Sequence, residues 1–233
     1  ANLVVKELEV ESGAISLSNN SAVTEIVTVK GSYTENSSVD GKVISGGDET
    51  AELRAALSKD GEYTLTRDYD LAKPLVSSAN VTLNLNGYKL YNTADIWAGD
   101  NWSLITVKSG TLTINGEGAL QAKENDCYAV DVQNGANLVI NGGTYAGNIS
   151  AIYVYEGELT VNGGTFSVQQ KSNFNDSRYL LNCLDKNYKN GKSVIEVTGG
   201  SFVAFNPANN AAEGVNTDFL GKRKSFLEFL YFS

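Results

Sequence analysis

The alternation of apolar and polar positions divides the chain into three parts. Residues 1–46 hold runs rich in Val, Ile and Thr, "NLVVKELEV", "AVTEIVTVK" and "GKVIS", separated by Ser, Asn and Gly. That composition predicts short strands bounded by turns. Their partners do not follow from the pattern, and by elimination the segment is assigned as a β-rich arm or attachment segment. A helical period follows in "GGDETAELRAALSKDG". Ala51, Leu53, Ala55, Ala56 and Leu57 make its apolar face; Asp48 and Glu49 sit near the start, and Lys59 and Gly61 near the end, as helix termini favour. From about Glu62 to Phe205 the period changes to two and glycine interrupts it regularly. Residues 206–233 form the third part, which ends in "KRKSFLEFLYFS".

The middle part repeats itself. Five copies align without gaps: "LNLNGYKLYN" from Leu83, "LTINGEGALQ" from Leu112, "LVINGGTYAG" from Leu138, "LTVNGGTFSV" from Leu159 and "IEVTGGSFVA" from Ile195. They start 29, 26, 21 and 36 residues apart, which suggests one coil of about twenty residues carrying loop insertions of different length. In this alignment Leu83, Leu112, Leu138, Leu159 and Ile195 fill the first column. Leu85, Ile114, Ile140, Val161 and Val197 fill the third. Positions two apart on a strand share a face, so both columns line one interior wall.

The fourth column is Asn86, Asn115, Asn141, Asn162 and Thr198, and the fifth is Gly87, Gly116, Gly142, Gly163 and Gly199. Asn-Gly admits positive φ and predicts a corner. Stacked copies would let each Asn amide bond the next. The eighth column, Leu90, Ala119, Tyr145, Phe166 and Phe202, would form a ladder on the next wall. A second corner precedes the later copies at Gly110, Gly135, Gly157 and Gly191, each after a strand-like run: "LITV", "YAVDV", "AIYVY" and "LLNCL". The prediction is an all-β chain, a right-handed three-sheet parallel β-helix over residues 47–205. One coil cannot bury enough to fold alone, so the stack folds together.

Composition narrows the chemistry. The formal net charge of −9 argues against a nucleic-acid partner. No apolar run approaches a membrane span, so no membrane insertion is expected. There is no His, which removes the commonest general base, the Ser-His pair and the usual zinc ligand. The "GGT" turns lack the Asp of calcium-binding nonapeptides, so neither a metal nor a cofactor is expected. Cys127 and Cys183 are the only thiols, either two buried thiols or one disulfide. The chain has no Met; Ala1 suits removal of an initiator Met, and equally a cleaved secretion signal.

The "DETAELRAAL" helix, the strands ending in "LNLNGYKL" and the "NGGTY/NGGTF" coils together resemble the right-handed parallel β-helix proteins of the pectate-lyase-like superfamily. In particular they resemble the repeat β-helices of phage fibre and decoration proteins and of bacterial surface proteins. The resemblance covers about residues 48–205. It implies a short N-terminal helix, residues 48–59, capping the open solenoid end. It implies a homo-oligomer, a trimer by analogy. It also implies that active members act on polysaccharides, the lyases with acid-held calcium and an Arg or Lys base, the hydrolases with clustered Asp.

The outward positions offer few such acids. Asp131, in "YAVDV", aligns with Thr106 and Tyr153, neither a carboxylate, whereas a glycosidase needs two. Asp176 and Arg178, in "FNDSRYL", are the best lyase-like pair, and a local ion pair on a solvated loop explains them more simply. Aromatic residues give a better surface. Tyr153 and Tyr155 point outward, Asp131 and Gln133 lie beneath them, and Trp97, Trp102, Phe174 and Tyr179 sit in two long inserts. Aromatics beside polar groups suit the apolar faces of sugars, though packing or a subunit interface would also occupy them. The terminal aromatic run is expected to cap the C-terminal end or pair with another subunit. The leading expectation is a non-catalytic structural or recognition β-helix, either of a virion (tail fibre, head fibre or decoration protein) or of an extracellular bacterial adhesin. The alternatives are a secreted polysaccharide lyase or glycoside hydrolase, and a glycan-binding module.

Overall fold

The computed structural model describes residues 50–97, 99, 101–173, 176–209 and 218–220, together with the backbone of five earlier strands. Two compact units divide between Glu52 and Leu53. In the first, β1 (Val4–Val10), β3 (Ala22–Val29) and β5 (Lys42–Ile44) form one parallel sheet, and β2 (Ala14–Leu17) pairs in parallel with β4 (Ser32–Glu35). Val4 lies beside Ala22 and Ala14 beside Ser32, a step of 18 residues in each sheet. The segment read as an arm is therefore built of parallel crossovers of its own.

The second unit is a three-sheet parallel β-helix. Its first sheet stacks β6 (Gly61–Thr64), β9 (Val81–Asn84), β12 (Thr111–Asn115), β15 (Ala136–Ile140), β18 (Gly157–Val161) and β21 (Ser193–Val197). The second stacks β7 (Tyr69–Asp70), β10 (Lys89–Tyr91), β13 (Ala119–Gln121), β16 (Thr144–Gly147), β19 (Thr165–Val168) and β22 (Ser201–Phe202). The third stacks β8 (Leu75–Ser77), β11 (Ser103–Val107), β14 (Tyr128–Val132), β17 (Ile152–Val154) and β20 (Leu181–Cys183). Every pairing is parallel, and each coil visits the three sheets in turn.

Helix α1 (Ala51–Leu57) runs into the first coil. Leu53 and Leu57 are fully buried in the solenoid core. The Arg54 guanidinium donates to the carbonyls of Pro74 and Lys73 at 2.6 and 2.9 Å, and the Ser78 amide donates to the Leu57 carbonyl at 3.0 Å. These contacts fall on the first coil, so the helix covers the end at which the stack begins. At the other end Leu220 bridges to Val197, and Phe219 is buried with its ring edge-on to Tyr188. The aromatic run beyond it, like Phe174, lies outside the described residues.

Register corrects the gap-free alignment at its first copy. Ile114 pairs with Leu83 and Leu112 with Val81, so Asn84, not Asn86, stands beside Asn115. The cause is corner length. Asn84 precedes the second-sheet strand at Lys89 by five residues, Asn115 precedes Ala119 by four, and Asn141 precedes Thr144 by three. For the same reason Leu120, not Ala119, faces inward between Leu90 and Tyr145. Asn86 instead occupies the left-handed region at φ 52° and donates to the Leu65 carbonyl at 3.1 Å.

The amide ladder runs along the remaining coils. Asn115 donates to Asn84 at 3.3 Å, Asn141 to Asn115 at 2.8 Å and Asn162 to Asn141 at 2.9 Å; the Thr198 hydroxyl ends the row on Asn162 at 2.8 Å. Inside the second sheet Tyr145, Phe166 and Phe202 stack with ring centroids 5.1 and 5.0 Å apart. Cys127 and Cys183 are buried and not joined by a disulfide.

The paired glycines of the later corners answer two separate demands. Gly143, Gly164 and Gly200 carry the positive φ, 90°, 101° and 113°. Gly142, Gly163 and Gly199 do not; they are glycine because the neighbouring coil is too close for a side chain. A Cβ on Gly142 would lie 2.9 Å from the Gly116 carbonyl oxygen, one on Gly163 2.8 Å from that of Asn141, and one on Gly199 would strike that of Asn162. Gly163→Ala is therefore expected to cost about 2–3 kcal/mol, because the corners must be forced apart. Gly135→Ala, at φ 76° with open space around it, should cost only about 1 kcal/mol. Urea unfolding of both variants checks the order.

Candidate functional site

The outer face of the third sheet carries the candidate site. Strand alternation sends Ile105, Val130, Ile152 and Leu181 into the core and leaves Thr106, Asp131, Tyr153 and Asn182 in one outward row. Lys108, Gln133 and Tyr155 continue this face beyond the strand ends. A groove of about 620 Å³ lies over it, lined by Trp102, Lys108, Asp131, Gln133, Asn134, Tyr153, Tyr155 and Leu184. The structure thus gathers five of the sequence-predicted residues: Asp131, Gln133, Tyr153, Tyr155 and Trp102.

The groove has walls because insertions flank this sheet. The 92–102 insert brings in Trp102, 39% exposed, which stacks at a tilt on Trp97 with centroids 5.2 Å apart. Trp97 is half exposed and does not line the groove. Asp126, which the sequence reading passed over, holds this insert in place. Its buried carboxylate accepts from the Asn92 side-chain amide at 2.6 Å and from the Ile96 and Trp97 backbone amides at 3.1 and 3.2 Å. On the opposite side the 184–192 connection forms a short helix, α2 (Asp185–Lys189), also absent from the sequence reading, with Leu184 just before it on the groove wall. The Asn187 amide and the Ser193 hydroxyl, the latter at 2.8 Å, both donate to the Tyr155 carbonyl and fix its backbone. The Tyr155 side chain stays 46% exposed, while Tyr153 stacks on Tyr128 at 5.2 Å.

Asp131 is the unusual member. Its position faces away from the core, yet it is only 3% exposed. One carboxylate oxygen accepts from the Gln133 amide, and the other, Oδ1, is buried without a hydrogen-bond partner. Burial holds its carboxyl up at about 6, and the Gln133 hydrogen bond, the Lys108 charge and the Val132 backbone amide pull only partly against that. The same burial, with the Asp131 charge added, pushes the Tyr128 hydroxyl up to about 12.

The other candidates lie elsewhere. Asp176, at φ 56°, pairs with Lys171 at 2.9 Å and not with Arg178. Neither Asp176 nor Arg178 lines the groove, and nor does Tyr179. Asn115, Asn141, Asn162 and their corner glycines belong to the ladder and turns described above. Among the described residues, no group of three His, Cys, Asp or Glu side chains is placed to hold a metal, and no helix is long and apolar enough to cross a membrane. Compared with protein-family models, curated proteins and solved structures, the chain matches none.

The raised carboxyl of Asp131 links stability to pH. Below the ordinary carboxylate value of 3.8 the group is protonated in both folded and unfolded chains. Between there and about 6 the unfolded chain releases the proton and the folded chain keeps it, so stability falls as pH rises. Above about 6 the full cost, on the order of 2–3 kcal/mol, is present. Asp131→Asn should accordingly melt several degrees higher than the wild type at pH 7.5 and match it near pH 3.5. Thermal melts across that range test the sign.

Proposed function

We propose that the chain is a non-catalytic recognition β-helix that binds a saccharide in the groove on its third sheet. The observation that carries this reading is the composition of the groove: three aromatic side chains, Trp102, Tyr153 and Tyr155, surround the polar groups of Lys108, Asp131, Gln133 and Asn134. Sugar rings present apolar faces to aromatics and hydroxyls to carboxylates, amides and ammonium groups, so a site of mixed lining matches both aspects. Two walls held by hydrogen bonds favour a pre-formed site, which lowers the ordering cost of binding. The sequence features shared with the pectate-lyase-like superfamily support the same reading. A virion fibre, a decoration protein or a bacterial surface adhesin, assembled as a homo-oligomer, is the setting that fits a rigid solenoid with an exposed glycan site.

A second reading has one observation in its favour. A carboxyl held up at about 6 is suited to general acid or base work on a polysaccharide. Among the described residues, however, Asp131 is the one carboxylate lining the groove, and two-carboxylate hydrolysis needs a partner. Polysaccharide cleavage that disappears in Asp131→Asn would establish this second reading over the first.

Binding to an immobilised glycan panel tests the proposal. Tyr155→Ala removes an exposed ring whose backbone is separately held, and is expected to weaken saccharide binding about tenfold or more, roughly the loss of one sugar–aromatic contact. Asp176→Ala, outside the groove, should bind as the wild type does. Equal affinity of the Tyr155→Ala and wild-type proteins for every bound glycan would remove the groove from consideration.

A further inference from the structure

We infer that Asn134 is a site of spontaneous modification. It loses its amide to the backbone of Gly135 and leaves an aspartate or isoaspartate on the groove wall, whereas the ladder asparagines, set in the same dipeptide, are protected by the fold. The inference concerns the chain itself and stands whether or not the groove binds a saccharide.

The chain contains six Asn-Gly pairs, beginning at Asn86, Asn115, Asn134, Asn141, Asn162 and Asn190. In such a pair the asparagine side chain is open to attack by the following backbone nitrogen, because glycine has no side chain to shield it. The reaction needs only the chain and water. The Gly135 nitrogen bonds to Asn134 Cγ, the Cγ–Nδ2 bond breaks, and ammonia departs with the proton that the Gly135 amide gives up. A cyclic imide results. Water then opens it at one carbonyl or the other, giving aspartate, or isoaspartate with the main chain routed through Cγ. Attack requires Cγ to swing over the following nitrogen and the glycine peptide to turn towards it. What holds the amide or fills the corner therefore decides the rate.

The pairs divide on both counts. Asn115 and Asn141 each donate to one ladder neighbour and accept from the next, and Asn162 donates to Asn141 and meets the Thr198 hydroxyl. Gly142 and Gly163 are pressed against the preceding coil. Asn86 is tethered by its bond to the Leu65 carbonyl. Exposure does not make the distinction, since Asn141 and Asn162 are exposed as Asn134 is.

Asn134 carries neither restraint. Its side chain makes no hydrogen bond among the described residues, and nothing lies within 4 Å of a Cβ built on Gly135. Asn134 and Gly135, at φ 58° and 76°, are the central residues of a tight turn closed by the Ala136 amide on the Gln133 carbonyl at 3.0 Å. The Gly135 amide donates to the Glu156 carbonyl at 3.0 Å, a single bond at an exposed turn, where local opening is easiest. Asn190, exposed at the end of α2 with open space at Gly191, has the same freedom and is the second reactive pair. Of the two, Asn134 lines the groove. Its conversion replaces an amide beside Gln133 with a negatively charged group that only accepts hydrogen bonds.

Incubation of the intact chain at pH 8.5, followed by mass-spectrometric peptide mapping with isoaspartate scored separately, tests the assignment. Asn134 and Asn190 are expected to convert at least about tenfold faster than Asn115, Asn141 and Asn162, because a ladder amide must first break its hydrogen bonds. In guanidinium-unfolded chain the ladder sites should speed up to match Asn134, since only the fold protects them. Asn134→Gln, whose longer side chain closes a larger ring slowly, should remove the signal at that position and leave Asn190 as it was. Ladder sites that convert in the folded chain as fast as Asn134 would overturn the inference. So would an Asn134 that stays intact in the folded chain while it reacts in the unfolded one.

Discussion

Parallel strands pair about 4.8 Å apart, and a coil paired on all three sides must repeat that distance at its corners. This spacing is the constraint from which the rest of the solenoid follows. It brings the corner backbone of one coil so near the next that Gly142, Gly163 and Gly199 have no room for a Cβ. It places Asn84, Asn115, Asn141 and Asn162 within amide-to-amide reach, so the side chains copy the backbone ladder beside them. It also sets the ring spacing of Tyr145, Phe166 and Phe202 inside the second sheet. Polar and apolar rows alike repeat because one backbone distance repeats.

Much of this was legible in the sequence. Strand alternation and corner residues carry the fold, since inward positions must be apolar and tight corners must be Gly or Asn. The gap-free alignment failed at Leu83 because it assumed corners of one length, and an early corner that is longer moves the strand before it out of column. The stacking of β1 to β5 escaped notice because their connections lack the repeated Asn-Gly that marks the later coils. Helix α2 is a five-residue element whose N-cap, Leu184, offers no side-chain hydrogen bond, so it left no capping signal to read.

The site was legible only in part. Alternation correctly sets Asp131 and Tyr153 side by side on the outside of the sheet. It cannot report that Asp131 is only 3% exposed, because alternation sets which face a side chain takes and not what packs over it. The groove wall at Trp102 depends on Asp126 holding the backbone of the 92–102 insert, a contact spanning some thirty residues between two loops. Neither loop has a period from which such a contact could be inferred.

The placement of the inserts has a consequence for how such a chain can change. The connections 92–102, 122–127, 148–151 and 169–180 differ in length, and all enter the third sheet from the second; the long 184–192 connection leaves it. The amide row and the corners at Gly142, Gly163 and Gly199 lie between the first and second sheets, away from these connections. Frame and groove surface are thus separable in the primary structure. Loops beside the third sheet can be lengthened, shortened or exchanged while the ladder keeps its register, which makes this corner the natural place to graft a new binding specificity onto an unchanged scaffold.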